Sequence, residues 1–143
     1  METTELLFTI ANTAILLAWL PLLAAPKWSL TQQMLAFPYV PFVLSFFYLF
    51  FLITDGGLAE ADFSSLAGIL ELYRNATPEA AAAGWMHYLA FDYWVGCWML
   101  RDAQKKAVPH LLIVLPLLCT FMLGPMGIML YVLFSQIRLV LKK

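Results

Sequence analysis

The chain has 143 residues, of which 63% are hydrophobic and 12% are charged, and its formal net charge is −1. A soluble domain carries about 25% charged residues, whereas the apolar residues here fall in blocks of roughly 20, the length of a membrane span. The composition therefore predicts one integral membrane bundle without a separate soluble domain. Because no basic stripe is present, no nucleic acid is expected as a partner.

The first apolar block predicts a membrane span over about residues 6–25. The residues before it include Glu2 and Glu5, whereas a signal or transit peptide would carry basic residues there. We therefore expect a retained span and a location in a bacterial inner membrane. Asn12 is the single amide of this span, and it either forms a hydrogen bond between helices or lines a cavity.

A short loop over 26–33 precedes a second predicted span over about 34–54. Pro38 and Pro41 lie near its start, where they should kink the helix or delay its beginning. The span is dense in aromatic rings, namely Phe37, Tyr39, Phe42, Phe46, Phe47, Tyr48, Phe50 and Phe51. These rings either face lipid or form the wall of a slot for a flat, conjugated ligand.

The long polar connection after the second span begins at the turn sequence Asp55-Gly56-Gly57. Apolar residues recur within it at helical spacing: Phe63, Leu66, Ile69, Leu70 and Tyr73. This spacing predicts an interfacial amphipathic helix over about 63–75. The acidic residues of the connection indicate a solvated face, or alternatively a lid over a membrane-facing slot.

The third predicted span covers about 79–100, with Thr77 as N-cap and Pro78 at the first helical position. His87 and Asp92 lie in it and are the only ionisable groups well inside any predicted span. Ionisable side chains at membrane depth are costly and usually face a bundle interior or a wet cavity. The two residues are therefore candidates for acid/base chemistry, and the alternative is that they only form hydrogen bonds between helices.

The helical rotation of about 100° per residue places the rings of the third span on two faces. One stripe, within about 60°, contains His87, Phe91, Trp94 and Trp98. Asp92 lies about 140° from His87, near Trp85 and Tyr88. The histidine and the aspartate can therefore meet only through a ligand, a water molecule or a neighbouring helix.

The fourth predicted span covers about 109–134 and is interrupted by Gly124-Pro125-Met126-Gly127. The apolar run is too long for one straight span and too short for two, so we expect a bent helix, with a re-entrant pair as the alternative. Four spans would put both termini on one side of the membrane. The basic residues then divide equally, with Lys27, Arg101, Lys105 and Lys106 opposite Arg74, Arg138, Lys142 and Lys143. The positive-inside rule therefore leaves the orientation open.

Several chemistries are excluded by the residues that are absent or too far apart. No lysine lies within a predicted span, which excludes a retinal Schiff base. His110 begins the fourth span at the membrane face opposite the start of the third, so it cannot clamp one haem together with His87. No phosphate-binding loop or zinc signature is present, so we expect no metal and no cofactor. Cys97 and Cys119 differ in predicted depth, so a disulfide between them is not expected.

One stretch of the third span resembles a known family. It reads Gly84-Trp85-Met86-His87-Tyr88-Leu89-Ala90-Phe91-Asp92-Tyr93-Trp94-Val95-Gly96-Cys97-Trp98. It is similar to the pattern Gly-Trp-x-His-x-Leu-Ala-Phe-Asp-Leu-Phe-Val-Gly-Arg-Trp of the plant abscisic-acid-deficient, or neoxanthin synthase-like, membrane proteins and their bacterial relatives. Further matches are Asn12, Pro26-x-Trp28, Tyr39-x-Pro41 and Gly124-Pro125-x-Gly127. Cys97 stands where the family pattern has arginine, which removes an expected cationic partner of Asp92.

The resemblance implies proton chemistry on a carotenoid. In plants the family is needed to make the allenic carotenoid neoxanthin from the epoxide violaxanthin, and it is tied to cis isomers of these xanthophylls. An acid would protonate the epoxide oxygen while a base takes a proton from the adjacent polyene carbon. His87 and Asp92 match the family motif and suit these catalytic roles. The residues expected to shape the substrate pocket are Asn12, Trp85, Tyr88, Trp94 and Trp98.

We therefore interpret the chain as an all-α, integral membrane four-helix bundle with an interfacial amphipathic helix between spans two and three. The leading hypothesis is a carotenoid isomerase-type enzyme whose lipophilic substrate, a carotenoid or other isoprenoid, enters from the membrane lipid. The alternative is a non-catalytic carotenoid- or lipid-binding protein or accessory subunit, and a third option is a purely structural protein. Whether the chain forms a homo-oligomer is left open.

Overall fold

The computed structural model describes residues 2–56 and 61–141, and this part of the chain is all-α, as predicted. Seven helices are found within it: α1 (Glu2–Ala24), α2 (Ser29–Ala36), α3 (Tyr39–Asp55), α4 (Leu66–Arg74), α5 (Pro78–Lys105), α6 (Leu111–Leu123) and α7 (Pro125–Leu141). Helices α1, α3 and α5 cover the first three predicted spans.

Helix α5 is the centre of the bundle, and α1, α2, α3, α6 and α7 all pack against it. Its Tyr93 is buried and makes an edge-on ring contact with Trp19 of α1 at 5.6 Å between centroids. Trp19 also packs against Phe121 of α6 at 5.4 Å. Gly96 allows this close approach, since a Cβ added there would lie 2.6 Å from Cη2 of Trp19. A missing side chain at a helix interface has this effect.

The bundle has two chemically different ends. At the first, which we call the acidic end, the Thr4 hydroxyl donates to Oε1 of Glu79 at 2.7 Å, and the Thr77 hydroxyl donates to the Asp55 carboxylate. At the opposite end, which we call the basic end, Nε2 of His110 donates to the Leu23 carbonyl at 2.7 Å. The chain enters α1 and α5 at the acidic end and leaves them at the basic end.

The entry to α3 differs from the predicted loop over 26–33. Residues from Ser29 onward form the short helix α2, and α3 begins only after Pro38, with a bend of 57° between the two helices. Proline lacks the N–H that a continuous helix would need and disfavours a helical residue before it. The expectation that the prolines would kink or delay the second span is therefore confirmed, and the predicted loop is corrected to a helix. Thr31 secures α2, because its hydroxyl donates to the Ala25 carbonyl at 2.7 Å.

The predicted amphipathic helix between the second and third spans is present as α4. Ser65 is its N-cap and accepts from the Gly68 N–H at 3.0 Å. The Asp62 carboxylate accepts from the hydroxyls of Ser64 and Ser65, and these hydrogen bonds lower the pKa of Asp62 to about 2. The predicted cap of α5 is also confirmed, since Thr77 accepts from the Ala80 N–H at 3.0 Å.

The last predicted span is a helical hairpin rather than one bent helix. Helix α6 ends at Gly124, whose φ of +47° is a left-handed conformation that favours glycine. Gly127, early in α7, packs so closely that a Cβ there would collide with the Thr120 side chain and the Pro116 carbonyl. Both of these groups lie well back in α6, so α7 has reversed direction and lies against α6.

The return of α7 to the basic end is fixed by one buried tyrosine. Tyr131 packs against the Trp98 ring at 5.6 Å, and its hydroxyl donates to Oδ2 of Asp102 at 2.5 Å. Asp102 belongs to the last turn of α5. The bent helix expected over 109–134 is therefore corrected to the re-entrant pair, and the expectation that both termini share one side is corrected as well. The N-terminal residue of α1 and the C-terminal residue of α7 lie at opposite ends of the bundle.

Within the described ranges, α1 is the one helix that is both long enough and apolar enough to cross a membrane. The bent pair of α2 and α3 meets the same requirement if the two helices together form one span. Helices α6 and α7 are apolar but shorter. Helix α5 is 28 residues long, and polar residues such as His87 and Asp92 lower its hydropathy. The four-span membrane bundle thus stays a prediction, while its all-helical character is observed.

Candidate functional site

A cleft of about 630 Å³ opens near the acidic end, between α3, α5 and α4. Its floor is made of small residues of α5, including Ala80, Ala83 and Gly84. Its walls carry aromatic and polar side chains, namely Tyr48, Asp55, Phe63, Tyr73, Trp85, His87 and Tyr88. We call it the aromatic cleft. Leu72 and Tyr73 of α4 also line it.

His87 is the most chemically versatile group in the aromatic cleft. Its ring lies 4.7 Å from the ring of Phe91, 5.9 Å from that of Tyr48 and 6.3 Å from that of Tyr88. The side chain is exposed, and no hydrogen bond joins it to any described residue. Both ring nitrogens are therefore open to a ligand, and a histidine can accept or donate a proton near neutral pH.

Two tyrosine hydroxyls face each other where α4 meets α5. The Tyr88 hydroxyl interacts with that of Tyr73, and it also lies within the electrostatic reach of the Asp92 carboxylate. Because both tyrosines line the aromatic cleft, they add hydrogen-bonding groups beside the imidazole. Tyr88 was a predicted pocket residue, whereas Tyr73 was predicted only as the last member of the apolar repeat of α4.

Asp92 lies outside the aromatic cleft. Its carboxylate is half-buried and faces the α6–α7 turn, where Oδ1 would lie 2.8 Å from a Cβ placed on Gly124. His87 and Asp92 are therefore not in contact, as their angular separation predicted. Tyr88 connects the two, since its ring centroid lies 6.3 Å from that of His87 and its hydroxyl is within electrostatic reach of Asp92. The catalytic roles of His87 and Asp92 stay predictions.

Asn12 and Trp85 meet directly. Nε1 of Trp85 donates to Oδ1 of Asn12 at 3.0 Å, which joins α5 to α1. This contact corresponds to the interhelical hydrogen bond that was one of the two interpretations of Asn12. Trp85 also lines the aromatic cleft, whereas Asn12 does not.

The two remaining predicted pocket residues lie farther along α5. Trp94 continues the ring contacts that begin at His87, since its ring is 6.1 Å from that of Phe91. These three side chains form an exposed aromatic strip that leads away from the cleft. Trp98 instead packs on Tyr131 of the hairpin. Neither tryptophan lines the aromatic cleft.

Cys97 occupies a different face of α5 from Asp92. It is buried and lines a small cavity of about 200 Å³ together with Met34, Trp94 and Arg101. A longer cationic side chain at this position would therefore extend toward α2 and α3 rather than toward Asp92. The expectation that Cys97 removes a partner of Asp92 is thus corrected, and Arg101 places a cation at the same small cavity.

A second large cleft, of about 630 Å³, lies at the basic end. Its polar lining includes Lys27, Gln32, Gln104 and His110, and both glutamine amides donate to the Pro26 carbonyl. Nδ1 of His110 is buried and has no hydrogen-bond partner among the described residues. No set of three or more histidine, cysteine, aspartate or glutamate side chains in the described ranges is arranged to hold a metal ion.

Comparison with known proteins gives one family. A family model described as ABA DEFICIENT 4-like matches residues 6–131, which cover α1 to α6 and the first part of α7. No match was found among curated proteins or among solved structures. The matched region includes the residues that line the aromatic cleft, the α6–α7 turn, and Asp92 of α5, which faces that turn. The chain therefore belongs to the ABA DEFICIENT 4-like family.

Proposed function

We propose that the chain is an integral membrane protein that binds a carotenoid or related isoprenoid in the aromatic cleft and isomerises it by proton transfer. The observation that carries this proposal is the His87 imidazole, which has no hydrogen-bond partner among the described residues and lies in a ring-lined cleft of about 630 Å³. Small-molecule sites are typically about 300–1,000 Å³ and combine apolar walls with a few polar groups. Family membership connects such a site to neoxanthin-related chemistry.

The placement in a membrane is supported by the apolar outer surface of the helices. Leu17 of α1, Ile53 of α3 and Leu111 of α6 are 63%, 72% and 83% exposed, and many other large apolar side chains share this exposure. Water would make such a continuous apolar surface costly, whereas lipid tails would not. We propose a bacterial inner membrane as the location.

The shape of the site suits a ligand with a ring at one end and a long polyene. The ring end would occupy the aromatic cleft beneath α4, and the polyene would follow the exposed strip from His87 through Phe91 to Trp94. Aromatic side chains favour flat, conjugated partners through offset or edge-on contacts. Such a ligand could enter from the surrounding lipid without crossing water.

The proposed chemistry is an intramolecular rearrangement that needs no oxidant or reductant. His87 takes a proton from the polyene carbon next to an epoxide, and the electrons of that carbon–hydrogen bond form the new double bond. The adjacent carbon–oxygen bond breaks, and the oxygen receives a proton from the Tyr88 hydroxyl. His87 then returns its proton to Tyr88. Asp92 acts through Tyr88 as a positioning residue, since its charge acts on that hydroxyl while its carboxylate lies outside the cleft.

The test is a pigment profile in a host that accumulates violaxanthin. The wild-type chain should produce an allenic or cis isomer, and His87→Gln should lose it, with general-base catalysis accounting for a fall of about 10²–10⁴-fold. Gln33→Ala is the matched control, because Gln33 is exposed in α2 near the basic end. A stable His87→Gln protein with full turnover would rule out the proton-transfer role.

A non-catalytic binding protein or accessory subunit is the second candidate, and one observation favours it. Catalytic bases are usually oriented by a third group, whereas His87 touches only rings and has no described hydrogen-bond partner. In this case Phe91→Ala and Trp94→Ala should reduce bound pigment more than His87→Gln does. No host should then form an isomer that depends on His87.

A further inference from the structure

The basic residues are distributed unequally between the two ends of the bundle. Four of them lie where α1 and α5 end: Lys27, Arg101, Lys105 and Lys106. Arg74, at the end of α4, is the basic residue that the described ranges place at the acidic end. Most of the acidic residues lie with it, whereas Asp102 lies among the cations and forms an ion pair with Lys106 at 2.7 Å.

The hairpin adds to this inequality. Tyr131 already lies beside Asp102 near the basic end, and α7 continues in the same direction to Leu141. Arg138 belongs to that continuation, about 10 Å of helical rise beyond Tyr131. A single bent span would instead have carried Arg138 to the acidic end. Among the residues that the structure describes, the basic residues thus divide as five at the basic end against one at the acidic end, instead of equally.

We infer that the basic end faces the cytoplasm and contacts anionic lipid headgroups, and that the aromatic cleft opens at the opposite face of the membrane. Lysine and arginine are concentrated in cytoplasmic segments next to membrane spans, and they are attracted to the anionic lipids of that leaflet. The inference rests on the membrane placement in the proposed function. It implies that a ligand reaches His87 from the outer leaflet.

The experiment labels single introduced cysteines with a membrane-impermeant maleimide in intact cells. The first variant is Asn75→Cys, because Asn75 follows the last residue of α4 and lies at the acidic end of the bundle. The second is Ser29→Cys, because Ser29 is the first residue of α2 and lies at the basic end. Both positions are exposed. We expect Asn75→Cys to be labelled in intact cells and Ser29→Cys only after permeabilisation. The wild-type chain is the blank, because Cys97 is buried and Cys119 is partly buried.

The opposite labelling pattern would overturn the orientation, and labelling of both positions from one side would overturn the crossing of the membrane by α3 between them, on which the orientation depends. In a second arm, Lys27, Arg101 and Lys105 are replaced together by glutamine, and labelling should become mixed. An unchanged pattern would overturn the charge argument. Release of the chain by alkaline carbonate would instead disprove the membrane placement. None of these readouts depends on turnover, so a lack of isomerase activity leaves the test intact.

Discussion

At the scale of single residues, His87 and Asp92 share a helix and face different neighbours. The periodicity of α5 predicted their separation, because five steps of about 100° leave two side chains on different faces. The periodicity could not predict which residues surround His87 and Asp92, since a single sequence does not show which helix packs against which face of α5. The structure places α3 and α4 beside His87 and the turn at Gly124 beside Asp92. Proton chemistry in the cleft therefore depends first on His87 and the two tyrosine hydroxyls.

The two glycines of α5 give a matched pair for stability. We expect Gly96→Ala to lower the free energy of unfolding by about 1–3 kcal/mol, because the new Cβ would overlap the Trp19 ring. Gly84→Ala is the control, since its added Cβ would meet no described atom within 4 Å beyond its chain neighbours and the backbone of its own helix, and alanine favours a helix. Thermal unfolding in detergent measures both. Equal stability of the two variants would show that α1 and α5 are not packed through Gly96.

At the scale of the elements, the hairpin of α6 and α7 depends on three unrelated local features. Gly124 permits the left-handed turn, Gly127 allows the two helices to touch, and Tyr131 joins α7 to the end of α5. The Gly124-Pro125 sequence predicted an interruption. The direction that the chain takes after it depends on tertiary contacts, which hydropathy does not encode.

Tyr131→Phe removes the hydroxyl that joins α7 to Asp102. A hydrogen bond to a charged group contributes about 1.5–3 kcal/mol, so we expect a loss of stability of that order. Tyr39→Phe is the control, because the Tyr39 side chain is exposed and makes only a ring contact with Phe37 in the described structure. Unfolding monitored by tryptophan fluorescence distinguishes the two. A Tyr131→Phe protein as stable as wild type would contradict the proposed role of this bond.

The same contact makes stability depend on pH. Burial alone would raise the pKa of Asp102, but hydrogen bonds from Lys106 and Tyr131 and the charges of Lys106 and Lys105 lower it below its usual 3.8. A carboxyl whose pKa is lowered in the folded state stabilises the fold above its unfolded pKa. That stabilisation is lost as the pH falls through the lowered value. Asp102→Asn should therefore flatten the decline in melting temperature below about pH 4, and an unchanged decline would exclude Asp102 as its source.

At the scale of the whole molecule, the sequence predicted what depends on local pattern. The Thr77 cap, the delayed start of α3 and the amphipathic α4 all follow from short stretches of residues, and each is found. The aromatic cleft brings together α3, α4 and α5, which are distant in sequence. The stripe on α5 could therefore be predicted, whereas the contribution of Tyr48 and Tyr73 to the same cleft could not.

The central claim is that the aromatic cleft holds the isoprenoid ligand, and the most direct test is to fill it. Gly84 lines the cleft and has open space above it, so Gly84→Trp should block the ligand without disturbing the core. Ala14→Trp, on the exposed face of α1, controls for an added ring. The measurement is carotenoid bound per purified polypeptide. We predict that Gly84→Trp loses it while Ala14→Trp retains it, and equal pigment in both would contradict the assignment of the cleft as the binding site.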